Sequence, residues 1–188
     1  MRKQAAVDEK KVKNISKQTI NIIRTTQRNN IDLTHIADNK ANVLLSLNAI
    51  MLSFLLPLVL ANTDEIVEHY LYVPLLILAA TCFATIYIST IVLKPSDFDK
   101  FRKQLGEDSQ FSPFFFGNFY KMEMNEFFDH LDDSLSDSEL LKVHIAQDLY
   151  YVGHRLGVKM SRIRLAFDIF IFGLFTTILS AVVVLCFF

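Results

Sequence analysis

The chain has 188 residues, of which 52% are hydrophobic and 21% are charged, and its formal net charge is −1. This composition excludes disordered, collagen-like and disulfide-scaffold proteins, and the near-zero net charge gives no basis for nucleic-acid binding through a general positive field. Since the charged fraction is only slightly below the roughly 25% of soluble domains, the many apolar residues must be segregated into blocks without charges.

Three segments without a charged residue are each long enough to cross a bilayer. They are 43–61, 70–93 and 169–188, with lengths of 19, 24 and 20 residues. A hydrocarbon core about 30 Å thick needs about 20 helical residues. The sequence therefore predicts an all-α integral membrane protein, with transmembrane helices at 42–61, 70–93 and 165–188.

The basic residues predict how these helices are oriented. Nine of them lie in segment 1–41 and ten in segment 94–164, whereas the connection 62–69 has none. By the positive-inside rule, the first two segments are expected to be cytoplasmic. The N-terminus is therefore predicted to lie inside and the C-terminus outside.

Segment 1–41 contains neither Pro nor Gly, and we expect it to be a cytoplasmic helix. If this helix continues into the first span, a set of polar residues falls within an arc of roughly 80° at 100° per residue. The set is Arg24, Arg28, His35, Asp38 and Asn42. Two interpretations stay open: a solvated helix face with i,i+4 pairs, or a polar stripe that faces a pocket.

Segment 94–164 begins with a Phe-rich loop. Five of the nine positions from 111 to 119 are Phe, which favours packing of this loop against the helices or the membrane interface. A short amphipathic stretch starts at Phe127 and leads into an acidic run, 129–137. This run is predicted to be a solvated connector rather than a metal site.

A long helix is predicted from Ser138 onward, because apolar residues recur there every three or four positions. Polar residues flank this apolar seam, at His144, Asp148, Arg155, Lys159 and Arg162. Charges beside a buried seam usually have a partner or a ligand. The two possibilities are ion pairing between helices, with Asp38 or Asp32, and an anionic ligand held by Arg155 and Lys159.

Common catalytic motifs are missing from the sequence. It has no Walker phosphate loop, no dinucleotide glycine fingerprint, no HExxH and no nucleophile elbow, and its cysteines and histidines lack zinc-site spacing. We therefore expect no enzymatic activity, no metal site and no cofactor.

Four stretches, in this order and at these spacings, resemble one protein family. They are Arg24–Asn29 (RTTQRN), Ile36–Asn42 (IADNKAN) with Leu44–Ala49 (LLSLNA), Phe114–Phe119 (FFFGNF), and Asp148-Leu-Tyr continuing through Lys159 to Phe170. The chain resembles the membrane effectors of the bacterial pyrimidine cyclase system for anti-phage resistance, the Pycsar effector family. The resemblance extends over roughly residues 20–188.

This resemblance implies a sensor of cyclic UMP or cyclic CMP, which a partner cyclase makes during phage infection. Ligand binding is expected to make the effector impair the bacterial inner membrane, so that the infected cell stops growing (abortive infection). The implied partners are the cyclic nucleotide, membrane lipid and further copies of the chain, and nucleic acid is not among them.

A cyclic pyrimidine mononucleotide offers one phosphate charge, a ribose hydroxyl and a base edge. The residues predicted to meet the phosphate are Arg28, Arg155 and Lys159. Asp38 is predicted to accept from the ribose hydroxyl, Asn29 or Asn42 to pair with the base edge, and Phe116 to stack on the pyrimidine. The predicted ligand-binding set is completed by Arg24, Thr25, Lys40, Gly117 and Asp148.

Small residues in the first span predict close helix approach and hence a symmetric homo-oligomer with this span near its centre; they are Ser46, Ala49 and Ser53. Two other functions stay open. The chain could be a constitutive subunit of a small channel or transporter whose polar stripes are ion-paired scaffolding, or a membrane anchor for a cytosolic partner.

Overall fold

The computed structural model describes residues 2–95 and 112–187, with side chains from residue 17 onward. The chain forms α1 (Arg2–Ala61), α2 (Thr63–Glu68), α3 (Tyr72–Leu93), α4 (Phe116–Phe119), α5 (Met124–Ser136) and α6 (Ser138–Phe187). The described ranges contain no β-strand, and the predicted all-α class is confirmed. The early part of the predicted cytoplasmic segment, including Phe111, lies outside the described residues.

Three of these helices, α1, α3 and α6, are long and apolar enough to cross a membrane. This confirms the three predicted spans at the level of length and composition. The direction in which they cross, and the cytoplasmic placement of the remaining segments, stay predictions.

The acidic run after Phe127 is helical rather than a connector. Helix α5 begins after Glu123 and includes most of the run. Asp129, Asp132 and Asp133 are exposed on this helix, as a solvated run should be. An amphipathic pattern explains the helix, because Phe127, Leu131 and Ser134 recur at helical spacing and are the positions removed from solvent.

The chain divides into two compact units. Unit 1 takes in the described residues of 1–33 and 96–156, and unit 2 those of 34–95 and 157–188. Helices α1 and α6 each contribute residues to both units.

In unit 2, small side chains allow close packing of the three long helices. Ala37 and Ala41 on α1 are fully buried in a cluster with Val92 of α3 and Ile163 of α6. Further along α1, the buried Asn48 accepts a hydrogen bond from Thr85 on α3 over 2.9 Å. Burial of apolar surface away from water stabilises this packing, and the buried Asn48 and Thr85 within it are hydrogen-bonded to each other.

Helices α6 and α3 approach each other closely at Gly173. A Cβ atom added at this glycine would lie 2.2 Å from the side chain of Thr81. No side chain fits at that distance without a shift, so this contact between the helices requires glycine at position 173.

In unit 1, aromatic residues hold the segment around α4 in place. Phe115 lies against Tyr151 of α6, with 6.2 Å between ring centroids, and Phe119 lies against Phe127 of α5 at 5.2 Å. Packing of the Phe-rich loop is thus observed for Phe115 and Phe119. Phe114 and Phe116 are exposed instead.

Candidate functional site

The predicted ligand-binding residues are divided between the two units. Unit 1 contains Arg24, Thr25, Arg28, Asn29, Phe116, Gly117, Asp148 and Arg155. Unit 2 contains Asp38, Lys40, Asn42 and Lys159. Most of the set therefore belongs to unit 1, whereas the longest apolar segments belong to unit 2.

Within unit 2, Lys159 on α6 forms an ion pair with Asp38 on α1. Its Nζ lies 2.7 Å from Oδ1 of Asp38, and the two side chains are 19% and 32% exposed. This contact corresponds to the first of the two possibilities for the charges beside the seam, ion pairing between helices. Lys40 and Asn42, also on α1, are exposed.

The candidates on the unit 1 part of α1 face outward. Arg24, Thr25, Arg28 and Asn29 are all exposed, and Thr25 helps to line a shallow depression on the surface of this helix. Their exposure leaves the guanidinium groups of the two arginines accessible to an anion.

Asp148 is the buried centre of a polar cluster in unit 1. Its side chain is only 6% exposed, and its Oδ2 accepts a hydrogen bond from the hydroxyl of Ser112 over 2.9 Å. The same Ser112 oxygen accepts from the backbone N–H of Phe114, and the Ser112 carbonyl accepts from Nδ2 of Asn118. Asp148 is thus one of the points at which the segment leading into α4 is attached to α6, together with Tyr151.

Burial dominates the electrostatics of Asp148. Loss of hydration raises the pKa of this carboxyl from 3.8 to about 6, although the hydrogen bond from Ser112 acts in the opposite direction. The carboxylate also contributes to raising the pKa of Tyr151, after the larger effect of that residue's own burial. At neutral pH Asp148 is mostly ionised, with Oδ1 buried and without a hydrogen-bond partner among the described residues.

His144 lies one helical turn before Asp148 on α6 and is 3% exposed. Its Nδ1 lies 3.1 Å from the hydroxyl of Ser134, whose proton is already donated to the carbonyl of His130 at 2.7 Å. Ser134 must therefore accept from His144, which assigns the proton to Nδ1 and a lone pair to Nε2. Burial and, to a lesser degree, the nearby His130 lower the pKa of His144, so the imidazole is neutral at pH 7.

Arg155 and Phe116 are the other candidates in this part of unit 1. Arg155 is half-buried, and burial lowers the pKa of its guanidinium; arginine nevertheless stays charged at neutral pH. Phe116 is exposed, with its ring 5.6 Å from that of Phe115. An accessible ring at the start of α4, beside the ring of Phe115, suits stacking with a planar base.

Comparison with known proteins identifies the family. The family model of the Pycsar effector protein domain (PycTM) matches residues 21–187. This chain belongs to the Pycsar effector family. No curated protein and no solved structure matches it.

The family match includes every residue of the predicted ligand-binding set and the apolar segments of all three candidate membrane helices of this Pycsar effector. Groups of three or more metal-ligating side chains are not found in the described part of the chain. A Pycsar effector domain is a membrane effector and not a known enzyme family.

Several polar residues around Asp148 in this Pycsar effector are absent from the predicted ligand set; they are Ser112, Asn118, Ser134 and His144. The sequence contains a signal for two of these four residues. Ser112 and Asn118 are polar positions inside a Phe-rich run, and a run that packs against a helix removes such side chains from water.

Proposed function

We propose that this Pycsar effector binds a cyclic pyrimidine mononucleotide, supplied by a partner cyclase, and then impairs the bacterial inner membrane to stop growth of the infected cell. The observation that carries the proposal is that one chain combines a match to a membrane-effector family with a group of predicted ligand-binding residues in unit 1. A family of membrane effectors matches nearly the whole sequence, and most predicted ligand-binding residues share unit 1 with the buried Asp148 cluster.

The polar groups of unit 1 suit the chemistry of such a ligand. Arg28 and Arg155 supply positive charge for one phosphate, and bidentate guanidinium contacts favour arginine in this role. Asn29 offers both a donor and an acceptor to a base edge, and Phe116 offers an exposed ring for stacking. Lys159 already has Asp38 as a partner, so we assign the phosphate to the two arginines.

The response of the membrane follows from the continuity of two helices. Helices α1 and α6 each extend without a break from unit 1 residues to membrane-spanning residues. A ligand that favours one arrangement of unit 1 therefore acts on the same two helices that cross the bilayer, and its effect is limited by its differential affinity for the two arrangements. We propose that the chain acts by binding and not by catalysis.

A homo-oligomer is part of this proposal. Three helices from one chain enclose no useful pore, and the small residues Ser46, Ala49 and Ser53 are exposed on α1. In lipid, helices associate through such small side chains because their backbones can approach closely.

The test uses the full chain purified in detergent and then reconstituted into liposomes. Thermal-shift and calorimetric titrations compare cyclic UMP and cyclic CMP with cyclic AMP and cyclic GMP, and dye release from the liposomes reports membrane damage. We expect at least one pyrimidine nucleotide to bind and to trigger release, with no release in its absence. Release without ligand would favour a constitutive channel, and no binding with no release would favour an anchor for a cytosolic partner.

A further inference from the structure

Two buried hydrogen-bond acceptors lie side by side on α6. His144 and Asp148 are 3% and 6% exposed, and they are separated by one helical turn, so their side chains share a face. Within the part of the chain that the structure describes, Nε2 of His144 and Oδ1 of Asp148 have no hydrogen-bond partner. Buried polar atoms of native proteins are nearly always paired, so this pair calls for an explanation.

Both atoms accept and neither donates at neutral pH. The proton on Nδ1 of His144 is donated to the hydroxyl of Ser134, and Oδ2 of Asp148 accepts a hydrogen bond from Ser112. Two acceptors cannot bond to each other. A group that carries two hydrogens on one atom or on adjacent atoms can complete both of them.

A primary amino group carries two hydrogens on one atom. Acceptors at about 2.9 Å from a planar nitrogen, along its two N–H directions, are about 5 Å apart. Side chains at i and i+4 on a helix have Cβ atoms about 5–6 Å apart. This spacing of the two side chains is compatible with one planar NH₂ group that donates to both His144 and Asp148.

Cytosine and uracil differ in whether they can donate hydrogen bonds to these two acceptors. Cytosine carries an exocyclic amino group with two hydrogens, whereas uracil carries a carbonyl acceptor at the equivalent position. A carbonyl oxygen facing two acceptors would leave three lone-pair atoms in a buried space without a hydrogen between them. We infer that His144 and Asp148 read the exocyclic amino group of cytosine, so that this effector responds to cyclic CMP in preference to cyclic UMP.

This inference rests on the proposed function, since it names the base that the same site takes. Because both atoms are buried, the base reaches them only when side chains packed over them move aside, while Ser112 and Ser134 keep their hydrogen bonds to Asp148 and His144. Recognition of the amino group is thereby coupled to a rearrangement of unit 1.

Binding constants of the full chain for cyclic CMP and cyclic UMP test the inference. We expect cyclic CMP to bind at least tenfold more tightly. Asp148→Asn keeps the shape of the side chain and an oxygen for Ser112 but replaces Oδ1 with an NH₂ donor, which suits a carbonyl. This variant should lower the preference for cyclic CMP at least tenfold, whereas Asp132→Asn, an exposed carboxylate on α5, should leave it unchanged.

A second measurement changes the ligand and leaves the protein intact. N4,N4-dimethyl cyclic CMP has no amino hydrogen and should bind the unmodified chain at least tenfold more weakly than cyclic CMP, whereas 5-methyl cyclic CMP should bind within a few-fold of it. Tighter binding of cyclic UMP, or no loss for the dimethyl analogue, would overturn the inference and leave the proposed function standing. If neither pyrimidine nucleotide binds, both fail together.

Discussion

Lys159 on α6 donates a hydrogen bond to Oδ1 of Asp38 on α1 over 2.7 Å, although the two residues are 121 positions apart in the sequence. Asp38 follows Ala37, which lies in the buried cluster of unit 2. The ion pair therefore joins two helices beside an apolar contact. Both side chains are partly shielded from water, which makes the pair stronger than a fully exposed one.

The ion pair leads to a prediction that distinguishes a structural role of Lys159 from a role in binding the phosphate. A double-mutant cycle with Lys159→Met and Asp38→Asn should give a coupling of about 1 kcal/mol in the free energy of unfolding, between the values typical of exposed and buried pairs. Both single variants should bind the cyclic nucleotide with similar affinity. A loss of affinity confined to Lys159→Met would instead show that this lysine contacts the phosphate.

Gly173 should tolerate no larger residue. Gly173→Ala places a Cβ atom 2.2 Å from the side chain of Thr81 and should lower the stability of the protein in detergent by about 1–3 kcal/mol through overpacking. Gly157→Ala is the control, because a Cβ at that glycine has no other atom within 4 Å. In the control, replacing a helical glycine should leave stability unchanged or raise it by up to about 1 kcal/mol. Equal thermal shifts for both variants would contradict the close contact.

Asp148 should make stability fall as the pH rises. Since the folded pKa of about 6 lies above the ordinary 3.8, the folded protein holds a proton that the unfolded chain has already lost between these values. The stability that this proton contributes is complete below about pH 4 and is lost as the pH rises through 6. The loss is on the order of 3 kcal/mol, because each pKa unit corresponds to about 1.4 kcal/mol.

Chemical denaturation of the wild type and Asp148→Asn at several pH values measures this effect. The difference in unfolding free energy between the two should change between pH 4 and pH 7 in favour of the variant, whose amide does not titrate. Asp132→Asn serves again as the exposed control. A difference that is independent of pH would mean that the carboxyl of Asp148 is hydrated.

The orientation in the membrane can be tested by labelling single cysteines. In a background with Cys82→Ala and Cys186→Ala, a membrane-impermeant maleimide should label Glu65→Cys on α2 from outside intact spheroplasts, because the basic residues place that connection outside. Lys142→Cys, exposed on α6, should react only after lysis. The opposite pattern would reverse the predicted topology.

Assembly should depend on the exposed small face of α1. Ala49→Leu should hinder close approach of neighbouring copies, reducing both the oligomer seen by native mass spectrometry and ligand-triggered dye release, while nucleotide affinity stays near that of the wild type. Ala80→Leu, at an exposed position on α3, is the matched control and should have little effect. A chain that is monomeric with and without ligand would contradict the oligomeric mechanism.

Much of the fold follows from local properties of the sequence. A run of uncharged residues is long enough to span a bilayer whatever it packs against, so the segments around 43–61, 70–93 and 169–188 were predictable. Helical periodicity is local in the same way, and it predicted the helix that begins at Ser138. The family, too, was predictable from four short stretches, because their order and spacing are themselves features of the sequence.

The partners of the polar residues were decided by the tertiary structure. The sequence allowed Lys159 to pair with Asp38 or Asp32. Only the packing of α6 against α1 brings Lys159 next to Asp38. In the same way, nothing in the sequence joins Ser112 to Asp148 or Ser134 to His144, since each contact links separate elements. Whether a segment can span a bilayer depends only on the residues of that segment. A hydrogen bond requires two side chains to meet within about 3 Å, and that depends on how whole helices pack.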